Sequence, residues 1–88
     1  MKISRITLDK KFLESLRRLP VALQKRAEKA QVLLVENAFH PSLRLHKLSG
    51  QMEGLWSFRV NQQYRILFEP LDDGEVLFVS IGTHAIYD

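Results

Sequence analysis

The spacing of apolar residues divides the chain into a helical part and a strand part. Residues 2–7 alternate apolar and polar side chains, which predicts a short first strand, and Thr7 or Asp9 is available to cap a helix after it. Apolar side chains then recur at helical spacing in two stretches, at Phe12, Leu16 and Leu19 and at Leu23, Ala27, Ala30 and Leu34. Pro20 lies between the stretches and suits the first turn of a helix, so we predict an antiparallel hairpin of two helices.

Downstream of the helices the period of the pattern changes to two. Residues 43–48 are a short strand candidate, and residues 55–60 and 64–69 are rich in aromatic and β-branched side chains. Residues 76–81 are apolar on both faces, as in a central strand. The pattern predicts one α+β domain, residues 1–88, with the element order β-α-α-β-β-β. In this fold a helical hairpin packs on one face of a mainly antiparallel four-stranded sheet.

The loop between the two aromatic strands determines which of their side chains share a face. A three-residue loop at 61–63 sets Val60 opposite Tyr64 and Arg59 opposite Arg65. One face then collects six large side chains, which are Trp56, Phe58, Val60, Tyr64, Ile66 and Phe68. Their burial is worth on the order of 10 kcal/mol, whereas a two-residue loop would bury an unpaired arginine. We therefore expect the three-residue loop, although it contains no glycine.

Composition narrows the chemistry that the chain can perform. The sequence has 45% hydrophobic and 26% charged residues, which is typical of globular proteins, and it has no cysteine for a disulfide, a thiolate metal site or a nucleophile. No apolar run is long enough to cross a membrane and no signal-peptide core is present, so a cytoplasmic protein without a membrane partner is expected.

The net charge of +3 is unevenly distributed along the chain. Residues 1–30 contain nine Lys/Arg and three Asp/Glu, whereas residues 31–88 contain four Lys/Arg and seven Asp/Glu. The basic N-terminal third is suited to attract a polyanion, although a solvated, lysine-rich helix face explains the charge on its own.

The same alternation collects polar side chains on the outer face, by which we mean the face of the sheet opposite the helices. They are His46, Arg59, Arg65 and, if the last strand continues, His84. Imidazoles exchange protons near neutral pH, and guanidiniums hold phosphate groups. The set suits RNA cleavage without a metal or other cofactor. In such a reaction a base activates the ribose 2′-OH, arginines stabilise the phosphorane, and an acid protonates the leaving 5′-oxygen.

Each of these residues also has a purely structural interpretation. His46 could be a solvated strand residue and His84 a frayed residue near the C-terminus, while the two arginines could blunt sheet edges or pair with Glu69. A zinc site formed by His40, His46 and His84 lacks the usual short spacing between ligands, so no metal is predicted.

Several short motifs follow one another along the chain. They are Phe-Leu-Glu-Ser-Leu at 12–16, Leu-Pro at 19–20, Leu-His-Lys-Leu-Ser-Gly at 45–50, Gly-Leu-Trp-Ser-Phe-Arg-Val at 54–60, Tyr-Arg-Ile at 64–66 and Ile-Gly-Thr-His-Ala-Ile-Tyr at 81–87. Their order and spacing resemble the RelE/ParE superfamily of bacterial type II toxins, over nearly the whole chain. The resemblance implies a RelE-like fold, a cognate antitoxin as partner and, in the RelE and YafQ branches, metal-free cleavage of mRNA in the ribosomal A site. The ribosome and mRNA are thus expected partners, and DNA only indirectly, through an antitoxin complex.

The YafQ branch matches best residue by residue, since its Gly-Thr-His-Ala ending corresponds to residues 82–85. The resemblance implies a catalytic histidine at His84, a matching histidine at His46, the arginine of the RelE-type Tyr-Arg pair at Arg65 and a base-stacking residue at Tyr87. Arg59 stands where YafQ-like sequences carry a histidine and RelE-like sequences a lysine. We expect His84 to act as the general acid, His46 as the base, and Arg59 and Arg65 as phosphate clamps. Gln63 stands where YafQ-like sequences carry an acid, so that proton-transfer partner is missing.

Two further surfaces are expected to contact partners. Basic side chains, mostly of the helices, are expected to bind RNA, and they are Lys10, Lys11, Arg17, Arg18, Lys25, Arg26, Lys29, Arg44 and Lys47. In the last strand Leu77, Val79 and Ile81 are expected to face the core, which leaves Val76 and Phe78 on the outer face beside Leu67. We expect an antitoxin segment to cover these three outer residues, because exposed apolar patches usually mark partner surfaces.

Two alternative functions remain open at this point. One is a ParE-like toxin that inhibits DNA gyrase and cleaves nothing, and the other is a non-toxic family member that acts as an interaction module. The fold does not separate them from a nuclease, because function depends on the site. The two histidines of the outer face and Tyr87 favour cleavage, since a pure inhibitor has no need of them.

Overall fold

The computed structural model describes residues 1–83, and residues 84–88 lie outside the described part. The helices and strands are, in chain order, β1 (Arg5–Leu8), α1 (Lys10–Arg17), α2 (Val21–Glu36), β2 (His46–Lys47), β3 (Trp56–Arg59), β4 (Arg65–Pro70) and β5 (Glu75–Gly82). Short 3-10 turns lie at Pro41–Leu43, Gly50–Met52 and Asp72–Gly74.

The strands of residues 1–83 form one mixed sheet in the order β1-β5-β4-β3-β2. β1 runs parallel to β5, and the other neighbouring strands are antiparallel. Because β1 and β2 occupy opposite edges, the two helices between them in sequence carry the chain across one face of the sheet. The predicted α+β class and the mainly antiparallel sheet are confirmed. The sheet has five strands rather than four, because His46 and Lys47 of the candidate segment 43–48 pair with β3.

Local sequence explains where the helices begin and which side they bury. Of the two predicted caps, Asp9 caps α1, since its Oδ2 accepts a hydrogen bond from the backbone N–H of Lys11 at 3.0 Å. Phe12 of α1 is buried, and α2 buries three residues at the predicted helical spacing, which are Ala27, Ala30 and Leu34. All four residues belong to the same core cluster as the rings of the sheet, so the apolar stripes of both helices contribute to the core.

The register of β3 and β4 confirms the three-residue loop. Arg59 lies opposite Arg65 and Phe58 opposite Ile66, and the backbone N–H of Val60 donates to the carbonyl of Tyr64 at 2.9 Å. The helix-facing side carries a cluster of three fully buried rings, Phe58, Phe68 and Phe78, whose centroids are 5.5 to 6.2 Å apart. These separations are in the favourable range for tilted aromatic pairs.

The prediction for β5 is wrong over its first half. Leu67 pairs with Ser80 and Phe68 pairs with Phe78, so Val79 is an extra residue in β5 at a β-bulge. One inserted residue reverses the parity of the strand before it. Val76 and Phe78 therefore join Ile81 in the core, whereas Leu77 and Val79 are half-buried and lie outside the core cluster.

The predicted antitoxin patch is consequently wrong as an exposed surface. Val76 and Phe78 are core residues, at 2% and 0% exposure. Leu67 does lie on the outer face, but its exposure is only 2%, and its neighbour Ser57 is fully buried as well. The centre of the outer face is therefore already packed within this chain, and what surrounds Leu67 and Ser57 on that face is partly polar, at Arg59 and Arg65, and partly apolar, at the half-buried Leu77.

Candidate active site

Strand pairing brings three of the predicted site residues to the same face. His46 of β2 lies opposite Ser57 of β3, so both side chains lie on one side of the sheet. Arg59 follows Ser57 by two residues, which returns it to that side, and Arg65 lies directly opposite Arg59. Phe58 alternates with them and is buried on the helix side. His46, Arg59 and Arg65 therefore share the outer face, as the alternation predicts.

The two arginines converge on one acceptor. The Nε of Arg59 donates to the carbonyl oxygen of Asn61 at 3.0 Å, and the Nη1 of Arg65 donates to the same oxygen at 2.9 Å. Nη1 of Arg65 also donates to the carbonyl of Tyr64 at 3.2 Å. These contacts hold two half-buried guanidiniums side by side, an arrangement of like charges that is unfavourable unless an anion lies between or beside them.

No carboxylate among residues 1–83 neutralises this arginine pair. The ion pair in that part of the chain joins Arg5 to Glu75 at 3.8 Å, at the far side of the sheet. Among the described residues Glu69 therefore does not pair with Arg59 or Arg65, contrary to the structural interpretation. A paired, carboxylate-free set of guanidiniums is suited to bind a phosphate through several charge-assisted hydrogen bonds.

Asn61 builds the turn that holds the arginines in place. Its side-chain Oδ1 accepts hydrogen bonds from the backbone N–H groups of Gln63 and Tyr64, at 2.9 and 2.7 Å. This closes an Asx turn between β3 and β4, and it explains why the three-residue loop needs no glycine. Strand periodicity does not single out Asn61, although an asparagine at the first loop position is a recognisable signal for such a turn.

His46 lies at the exposed edge of the sheet with a defined ring orientation. Its Nδ1 is 3.2 Å from the carbonyl oxygen of Arg44, a residue in the left-handed conformation at φ 45°. A carbonyl oxygen only accepts, so this hydrogen bond requires the proton on Nδ1. The neutral ring then keeps Nε2 as its proton acceptor, which is the state that a general base needs.

The other predicted site residues fall into three groups. His84 and Tyr87 lie outside the described residues, so their roles stay predictions. Arg44 and Lys47 are exposed, and Lys47 pairs with Trp56, so it lies on the opposite side of β2 from His46. The seven basic residues of the helical part, Lys10, Lys11, Arg17, Arg18, Lys25, Arg26 and Lys29, are exposed on the helical layer rather than on the outer face.

Residues 1–83 contain neither a candidate metal-ion site nor a helix that could span a membrane. No group of three or more His, Cys, Asp or Glu side chains there is arranged to hold a metal ion. Neither helix in that part combines the length and the apolar composition needed to cross a membrane.

A family model identifies the protein class to which this geometry belongs. The model describes a RelE-like toxin of the type II toxin–antitoxin system HigB, and it matches residues 7–84. The chain therefore belongs to the RelE/HigB family of type II toxins, which confirms the resemblance seen in its motifs. A search of curated protein sequences finds no match.

Several solved structures share the fold of this chain. YafQ from Escherichia coli strain BL21(DE3) superposes with a TM-score of 0.72 at 18% identity, over 93% of this chain and 94% of that one. The RelE–RelB complex from Pyrococcus horikoshii OT3 gives 0.73 at 20% identity, over 94% and 96%. The YoeB/ParE toxin from Agrobacterium tumefaciens gives 0.76 at 14% identity, over 92% and 99%. Similar structures also include toxin–antitoxin complexes of YafQ with DinJ and of YoeB with YefM.

Proposed function

We propose that this toxin is a ribonuclease that cleaves mRNA on the ribosome and needs no metal ion for the chemical step. Toxins of the RelE/HigB family are typically ribonucleases. The observation that carries the proposal is the arginine pair, Arg59 opposite Arg65, without a carboxylate partner among residues 1–83 and on the same face as His46. A gyrase inhibitor has no need of a proton acceptor beside a phosphate-binding pair.

The proposed reaction is an internal phosphoryl transfer. Nε2 of His46 removes the proton of the ribose 2′-OH, and the 2′-oxygen forms a bond to the adjacent phosphorus. Arg59 and Arg65 stabilise the extra negative charge of the phosphorane. The bond from phosphorus to the 5′-oxygen then breaks, and an acid protonates that oxygen. The products are a 2′,3′-cyclic phosphate and a free 5′-hydroxyl.

The acid and the base-stacking residue are assigned by the family resemblance. His84 is proposed as the general acid and Tyr87 as the residue that stacks on a base. His84→Ala is expected to relieve growth arrest and to leave thermal stability unchanged. Continued cleavage of ribosome-bound message by this variant would refute the role of His84 while leaving that of the arginine pair open to its own test.

We also propose that a cognate antitoxin neutralises the toxin, because similar toxins form such complexes. The antitoxin surface is not the patch of Val76 and Phe78, since both are in the core. An antitoxin that inhibits cleavage is expected either to cover His46 and the arginine pair or to block access to the ribosome.

The deciding experiment combines an assay on induced cultures with an assay on the purified toxin. Mapping of mRNA 5′ ends is expected to show new ends with 5′-hydroxyl groups, while purified toxin leaves the supercoiling activity of DNA gyrase unchanged. Arg65→Gln is the matched inactive variant, because it removes one charge of the pair without touching the core. Growth arrest with inhibited gyrase and no new 5′ ends would replace the nuclease proposal with the ParE-like alternative.

A further inference from the structure

A second cationic site lies around the edge of β3 from the candidate active site. It is an open cleft of about 430 Å³ between α2, the 3-10 turn at Pro41–Leu43 and the β3–β4 turn. Three cationic residues line it, Arg26, Lys29 and Arg59, together with the neutral polar residues Ser42, Asn61 and Gln62. No carboxylate is among its lining residues in the described part of the chain.

Hydrogen bonds to the backbone position two of the three cations. The Nε of Arg26 donates to the carbonyl of Val60 at 3.2 Å, across 34 residues of sequence, and the Nε of Arg59 donates to the carbonyl of Asn61. In both contacts the guanidinium is anchored through Nε, while its four other N–H groups are on Nη1 and Nη2. Groups held in this way lose little freedom when they bind a ligand, which favours tight binding.

The cleft is continuous with the outer face because of Arg59 and the short β2. Arg59 belongs to the outer face by register and also lines the cleft. β2 pairs with Trp56 and Ser57, so its pairing ends before Phe58 and leaves that end of β3 beside the cleft. A chain molecule bound at Arg59 and Arg65 therefore has a route around this end of β3 towards α2.

We propose that this cleft binds backbone phosphates of a single-stranded RNA, next to the phosphate held by Arg59 and Arg65. The proposal rests on the proposed nuclease function for the neighbouring phosphate at Arg59 and Arg65, but not for the binding of RNA in the cleft itself. Three cations without a carboxylate fit a ligand that carries repeated negative charges, and the neutral amide and hydroxyl groups fit the sugar and base. Among the helix cations that are expected to bind RNA, Arg26 and Lys29 are thereby assigned to one defined site, the cleft that also contains Arg59.

The test is a binding measurement that does not depend on cleavage. The probe is a fluorescently labelled 2′-O-methyl RNA oligonucleotide, which lacks the attacking hydroxyl, and anisotropy is measured over a series of salt concentrations. The variant Arg26→Gln/Lys29→Gln is compared with Lys2→Gln/Arg5→Gln. The control also removes one lysine and one arginine, but at exposed positions at or beside the β1 edge.

We expect the cleft variant to bind the RNA at least tenfold more weakly, whereas the control loses at most about threefold through its charge alone. For a single strand the slope of log affinity against log salt is expected to fall by about 0.7 for each lost phosphate contact, or about 1.4 in the double variant. The single variant Lys29→Gln, whose side chain makes no hydrogen bond to the backbone of residues 1–83, is expected to show half of that slope change. It keeps the test valid if loss of the Arg26 contact unfolds the protein.

The outcomes separate this proposal from the nuclease proposal. Equal RNA affinities of the cleft variant and the control would overturn the proposal that the cleft binds RNA, even if the wild-type protein cleaves mRNA. Loss of antitoxin binding with unchanged RNA affinity would overturn it in favour of a protein ligand. RNA binding that depends on Arg26 and Lys29 in a toxin that cleaves nothing would support the cleft and refute the nuclease.

Discussion

The two faces of the central sheet are built from alternate residues of the same strands, yet different forces hold them. On the helix side, Phe58, Phe68 and Phe78 are fully buried and contact one another as tilted rings. On the outer face, Arg59 and Arg65 face each other and are held by the carbonyl of a turn residue. The first arrangement stabilises the fold through apolar burial, whereas the second places like charges together without an internal counter-charge in the described residues.

This difference indicates that the helix side of the sheet serves mainly folding and that the outer face serves mainly catalysis. Substitution of a helix-side residue should change stability strongly and should change catalysis only because the fold is lost. Substitution of an outer-face residue should change catalysis strongly and stability weakly, because an arginine pair without a bound anion contributes little to stability.

The largest expected effect is on stability, in β5. Phe78→Ala is expected to lower the free energy of unfolding by about 3–5 kcal/mol, because it removes a fully buried ring and leaves a cavity. Leu77→Ala, one residue away on the other side of the strand, is expected to cost only about 1 kcal/mol. Urea denaturation measures both, and equal losses would contradict the parity that the bulge assigns to β5. If Phe78→Ala fails to fold, Phe78→Leu gives the same comparison at smaller cost.

The next effect is on catalysis, at the arginine pair. Arg65→Gln is expected to lower the rate of mRNA cleavage by about 10²–10³-fold, because one stabilising charge on the phosphorane is lost. Its unfolding free energy is expected to stay within about 1 kcal/mol of the wild-type value, since the change also removes a like-charge contact. Arg5→Gln, an exposed arginine of the β1 edge, is the control and should change the rate by less than about threefold. A rate for Arg65→Gln that matches this control would break the assignment of function to the outer face.

A third effect distinguishes the two sides of β2. His46→Gln is expected to lower the single-turnover rate by about 10²-fold, because glutamine cannot accept the 2′-OH proton. Lys47→Gln, on the opposite side of the strand, is expected to weaken RNA affinity a few-fold and to leave the rate at saturation nearly unchanged. Rate loss at saturation in both variants, or in neither, would argue against His46 as the base.

The smallest effect concerns the turn that couples the faces. Asn61→Ala removes the acceptor of two backbone hydrogen bonds and is expected to cost about 1–2 kcal/mol of stability. The same variant should lower cleavage about tenfold, because the carbonyl that positions both arginines lies in that turn. Gln63→Ala in the same loop is the control, because the side chain of Gln63 makes no hydrogen bond within residues 1–83. Stability loss without any loss of rate would show that Asn61 is a structural residue only.

Much of the fold and of the outer face can be predicted from the sequence, and the predictions that were wrong have identifiable causes. The loop at 61–63 is predictable because the two flanking strands alternate cleanly, so one register separates rings from arginines and the other mixes them. Residues 76–81 offer no such contrast, since both parities are apolar. The bulge at Val79 therefore cannot be recognised from the hydrophobic pattern. The predicted exposure of Val76 and Phe78 on the outer face is wrong for the same reason.

The strand count failed for a similar reason. A two-residue strand such as His46–Lys47 is defined by its pairing with β3 and not by its own composition. The same short pairing leaves one end of β3 beside the cleft, where Arg26 of α2 meets Val60. No spacing rule within one segment connects those two residues, because they are 34 positions apart and meet only through the packing of α2 on the sheet.

The amino-acid sequence by itself determined the fold class, the family, and the partition of rings and cations between two faces, because these follow from local periodicity and motif order. Tertiary structure alone decided the parity of β5, the single carbonyl shared by Arg59 and Arg65, and the cleft that joins α2 to the β3 edge. Each of these depends on how distant segments are aligned, and a shift of one residue in that alignment exchanges what is buried with what is offered to a ligand.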